Sequence, residues 1–99
     1  MEKIIYDGYE NHIRIIVYAQ TREDGGAEIV KCEKGIYIDD IFGTDERETV
    51  LVIDRKDVGS SSEDFIEEIG KKYSSRDSYE LIKNMLAEKK ISFSENTVC

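Results

Sequence analysis

The densest set of groups that could do chemistry is Asp39-Asp40-Ile41-Phe42-Gly43-Thr44-Asp45-Glu46-Arg47-Glu48. Carboxylates gathered around one turn can supply the oxygen ligands that a hard cation needs. Their spacing departs from the EF-hand pattern, and Arg47 stands among them as an internal counter-charge, so no metal or cofactor is assigned here. The same stretch fits a recognition surface. An exposed Phe42 would be an aromatic anchor inside an acidic rim of Asp39, Asp40, Asp45, Glu46 and Glu48, a pattern suited to a basic partner. The competing expectation is that Ile41 and Phe42 simply end a strand and bury.

His12 is the only histidine, and a cysteine–histidine pair with Cys32 would make a nucleophile and base. Nothing local supports that pairing. His12 next to Asn11 reads as a surface residue at the start of a strand, and Cys32 after Ile29 and Val30 reads as a small buried hydrophobe. Gly59-Ser60-Ser61-Ser62 lacks the glycine spacing of a nucleophile elbow or a phosphate loop. Helix capping accounts for these serines, and Glu63, Asp64, Glu67 and Glu68 would repel a phosphate. Lysines and arginines alternate with acids and form no basic stripe with interleaved aromatics, so direct nucleic-acid binding has no footprint.

The chain's bulk properties bound what these residues can serve. Ninety-nine residues with 39% hydrophobic content make one domain with one core. The net charge of −8 disfavours nucleic acid and anionic lipid and favours basic surfaces. The excess is uneven: residues 1–60 hold 14 acids and eight bases, whereas residues 61–99 hold eight acids and six bases. Acidity by itself also serves solubility alone. Cys32 and Cys99 form no CxxC or histidine–cysteine cluster and are expected as free thiols without a mutual disulfide. No apolar leader, membrane-length run or prenylation pattern is present, and a cytoplasmic location in a bacterial or phage-infected cell is expected.

The elements that must position these groups are read from periodicity. Strands are expected at 3–6, 12–20, 27–32, 36–42 and 49–53, with turns at Asp7-Gly8, Glu10-Asn11, Asp24-Gly25-Gly26 and Glu33-Lys34-Gly35. Residues 43–48 are expected to be a polar connection. In 12–20, Ile13, Ile15, Val17 and Ala19 form the core face. Ile16 and Tyr18 leave the opposite face only half polar, so partial cover is expected there. Thr49 to Ile53 is apolar on both faces and suggests a central strand. From Ser60 the period becomes helical: Phe65, Ile66, Ile69 and Tyr73 recur on one face, with Gly70 beside them. Ser61 with Asp64, and Asp77 with Glu80, resemble capping boxes. Tyr79, Ile82, Met85 and Leu86 make the second stripe, widened by Leu81.

The expected fold is α+β: an antiparallel four- to five-stranded sheet in the order β-β-β-β-β-α-α, covered on one face by a helical hairpin. Residues 1–99 form one domain, strand-rich over 1–55 and helical over 61–90, with 91–99 a last edge strand or a tail. Two functions fit. The leading one is a small acidic inhibitor or adaptor that docks on a basic surface of a nucleic-acid-processing protein. Small phage anti-defence and toxin-immunity proteins share this size and charge, though no motif carries the analogy. The alternative is an enzyme or enzyme subunit with a pocket on the sheet. A homodimer through an edge strand is a further expectation.

Overall fold

The computed structural model describes residues 1–10, 12–35, 46–59 and 61–98. Strands β1 (Glu2–Glu10), β2 (Ile13–Thr21), β3 (Ala27–Lys34) and β4 (Glu46–Ile53) come first, then helices α1 (Ser62–Lys72) and α2 (Ser78–Glu88), then β5 (Phe93–Val98). The sheet order is β1-β2-β3-β4-β5, and every neighbouring pair is antiparallel. The α+β class and the helical hairpin on the sheet are as the sequence implies, and 93–98 is a strand that completes the sheet. No helix among the described residues is long and apolar enough to cross a membrane. The expected strand at 36–42 lies outside the described residues.

Several boundaries differ from the sequence reading, each for a local reason. β1 runs straight through Asp7-Gly8 instead of turning there. Arg14 on β2 donates to both Asp7 carboxylate oxygens, at 3.1 and 2.9 Å, and holds that residue in the ladder. The Tyr6 ring lies over Gly8, where a β-carbon would collide with its hydroxyl. The register slips by one residue between Ile4 and Tyr6, a bulge that directs Ile5 into the core. The hairpin then closes at Glu10 and Ile13, with His12 at φ 69°.

The Asp24-Gly25-Gly26 turn forms as expected. The Gly26 N–H donates to Asp24 Oδ1 at 2.9 Å, and Gly25 takes φ 90°. Glu33 and Lys34 do not turn, and Glu46, Arg47 and Glu48 do not belong to a polar connection. All five extend β3 and β4, with Lys34 opposite Glu46 and Glu33 opposite Arg47, each pair 3.8 Å apart. Opposite charges across a ladder let polar residues continue a strand that hydrophobic alternation alone would end.

Val17, Ala19, Ala27, Ile29, Leu51 and Ile53 face the helices and are buried. They meet Ile66 and Ile69 of α1 and Tyr79, Ile82 and Leu86 of α2. Ser61 caps α1, its Oγ accepting from the Asp64 N–H at 3.3 Å. Gly70 lets the Lys3 side chain lie against α1, where Lys3 pairs with Glu67 at 3.2 Å. Asp77 does not form the expected capping box. Glu80 reaches across to Lys31 of β3 at 2.9 Å instead of back to the cap. Leu81 does not widen the core stripe; it is 44% exposed.

Candidate protein-docking face

Strand register sorts the sheet into two faces, because paired residues in an antiparallel ladder point to the same side. Both helices lie on one side: Lys3, Lys31 and Glu95 reach from the sheet to Glu67, Glu80 and Lys83. The opposite side carries a second set. Ile4, Tyr18, Val30, Val50 and Asn96 form one row across all five strands. Ile16, Cys32 and Glu48 form the row beside it, and Gln20, Glu28, Val52 and Ser94 the row on the other flank.

This outer face has an apolar middle and a charged margin in which Glu2, Glu28, Glu46 and Glu48 outnumber Arg14 and Lys34, with Glu28 paired to Arg22. Ile4 is 62% exposed. Ile16, Tyr18, Val50 and Val52 are half-buried, while Val30 at the centre is 1% exposed. Glu2, Glu28 and Glu48 surround Tyr18. Burial raises the Tyr18 phenol above its ordinary pKa, and the charges of Cys32, Glu48, Glu2 and Glu28 push it further in the same direction. At neutral pH the three carboxylates place Tyr18 in a negative field. An aromatic inside an acidic rim is expected at Phe42. In the described residues that arrangement stands at Tyr18.

Of the residues expected to bind a partner, Asp39, Asp40, Phe42 and Asp45 lie outside the described residues. Glu46 and Glu48 lie on β4, and both point to the outer face by register. Glu46 stands opposite Lys34, and Glu48 stands opposite Cys32 and accepts from its thiol at 3.6 Å. Burial, followed by the Glu48 charge and this contact, pushes the Cys32 thiol up to about 11. Tyr18 was missed as a centre of the face. The signal that could have found it was the apolar pair Ile16 and Tyr18 on the supposedly polar side of β2.

The structure does not join His12 to Cys32. Cys32 pairs opposite Ile16, and His12 precedes Ile16 by four residues, about 13 Å along a strand. Ser61 is engaged in capping α1. A crevice of about 110 Å³ opens between the helices over Phe65, Ile69, Tyr73, Met85 and Ile91, with Glu68, Lys72 and Lys89 at its rim. A wider depression beside the start of α2 holds Lys31 with Glu80 and Arg76 with Glu10, already ion-paired. Among the described residues neither hollow is lined by a cysteine or histidine. Among the described residues no three metal-ligating side chains converge. No protein-family model matches the chain, and no curated protein or solved structure matches it either.

Proposed function

We propose that this chain is a small acidic protein-binding module, an inhibitor or adaptor, and that it docks on a basic surface of a nucleic-acid-processing protein. The observation that supports this reading is the outer sheet face: Tyr18 and its aliphatic neighbours form an apolar centre ringed by Glu2, Glu28 and Glu48. Such a face combines the two parts of a protein interface. Half-buried apolar side chains supply contact area, and rim carboxylates steer a positively charged partner into register. A channel that binds nucleic acid carries the complementary charge. The uneven acidity, concentrated in the strand-rich part of the chain, favours the sheet over the helices as the docking surface.

The test is capture of partners from the native host by the wild-type chain and by a Glu2→Lys/Glu48→Lys double variant, identified by mass spectrometry. A basic protein retained by the wild type, released by added salt and lost with the double variant is the expected result. Identical capture by both chains at every salt concentration overturns the assignment of this face.

A further inference from the structure

The two edges of the sheet are built differently. β1 carries a device that discourages strand addition, the bulge between Ile4 and Tyr6. β5 carries no such bulge. Its six residues pair with β4 in unbroken register, from Phe93 opposite Ile53 to Val98 opposite Glu48. It contains no lysine, arginine or proline, and Ser94, Glu95, Asn96 and Thr97 are all exposed. An exposed outer strand in unbroken register is a template for one more antiparallel strand.

Charge points to which strand that is. The chain carries a net −8, so a second copy is repelled by most of its surface. At β5 the only acid is Glu95. Its carboxylate accepts from the Tyr79 hydroxyl at 2.6 Å and from Lys83 Nζ at 2.9 Å. This edge is therefore locally neutralised, which suits a like-charged copy better than a strongly basic partner.

We infer that β5 pairs with β5 of a second copy across a two-fold axis centred on Asn96, joining two sheets into one of ten strands. The register follows from symmetry. A two-fold axis at an antiparallel edge runs perpendicular to the sheet and must keep paired side chains on the same face. Paired positions then sum to an even number. An axis on Glu95 sets two carboxylates face to face. An axis on Thr97 shortens the seam. An axis on Asn96 faces amide with amide, sets Glu95 opposite Thr97 twice, and uses positions 94 to 98. Both helical hairpins then lie on one side, and the two outer faces form one continuous surface. This interface is separate from the proposed docking face and stands without it.

Sedimentation equilibrium of the untagged chain over micromolar to millimolar concentration tests the inference. The expected species at the upper end has twice the 11.4 kDa mass of the chain. Salt should strengthen it, because screening relieves repulsion between two acidic copies; docking on a basic partner responds in the opposite sense. Two variants with the same added charge separate the register from general electrostatics. Asn96→Lys sets two ammonium groups together at the axis and should weaken the dimer about threefold or more. Thr97→Lys sets an ammonium group opposite Glu95 of the other copy, twice, and should tighten it by a similar factor. Both positions are exposed, so unchanged thermal midpoints of the monomers are the accompanying control. A chain that stays at 11.4 kDa throughout overturns the inference, as do two lysine variants that shift the equilibrium in the same direction.

Discussion

The Tyr79 hydroxyl, on a side chain only 4% exposed, donates to Glu95 at 2.6 Å and fastens α2 to β5. Lys83, one turn further along α2, holds the other oxygen of the same carboxylate at 2.9 Å. The Tyr79 bond and then the Lys83 contacts keep the Glu95 carboxyl below its ordinary pKa, and burial, followed by the same bond, raises the Tyr79 phenol. A depressed carboxyl contributes stability that is present above the unfolded pKa and lost as pH falls through the folded one. Tyr79→Phe should therefore cost about 1–2 kcal/mol near neutral pH. Its stability should also fall less steeply than that of the wild type below about pH 4.5, measured by urea denaturation across the acid range.

The two helix starts give opposite expectations from similar sequences. Ser61→Ala removes the acceptor for the Asp64 N–H and should destabilise the domain by about 1 kcal/mol. Asp77→Ala removes no capping bond and should cost less than about 0.5 kcal/mol. Thermal or urea midpoints of the two variants compare them directly.

These helices also show how far sequence can be read. The periods of Ile66 and Ile69, and of Tyr79, Ile82 and Leu86, place both elements because burial follows the 3.6-residue repeat. Asp77 with Glu80 has the same local pattern as a working cap. Two things that the pattern does not show set them apart: Asp77 takes φ −92° and ψ 14° instead of the extended backbone of a cap, and Lys31 of another element holds Glu80. The same limit applies at Glu46 to Glu48, which read as a loop until Glu33 and Lys34 stand opposite them. The outer face of the sheet was half legible. Ile16 and Tyr18 marked β2 as apolar on both sides, but grouping Tyr18 with Glu2, Glu28 and Glu48 requires the register of four strands.

Cys32 should behave as an inert thiol. With its pKa pushed up to about 11, it stays protonated at neutral pH. In a Cys99→Ser background its reaction with a thiol reagent should be slow at pH 8 and rise only at strongly alkaline pH. Glu48→Gln should bring that rise to lower pH, because it removes a negative charge beside the sulfur. The sign for stability follows: an acid harder to ionise when folded favours the native state up to the unfolded value near 9 and withdraws that preference as pH approaches 11.

Gly70 sets helix propensity against one surface contact. Gly70→Ala should gain about 1 kcal/mol of propensity and lose part of it by displacing the Lys3 stem and its ion pair with Glu67. In a Lys3→Ala background the full gain should appear. A double-mutant cycle on the urea midpoints separates the two contributions.

The order of the strands also bears on how the chain finds its fold. β1 to β4 are each hydrogen-bonded to their neighbour in sequence, whereas β5 joins β4 only after both helices have intervened. Closing that longer loop costs entropy that its own ladder must repay, so the outermost strand is expected to zip on after the four-stranded meander and hairpin have assembled. Its side-chain anchor, Glu95, is held by two residues of α2, so the helix must already be docked for β5 to find its place. Late arrival also means early departure. In the monomer, the amides of β5 should exchange with deuterium faster than those of β3, opening as a unit while the rest of the sheet stays closed.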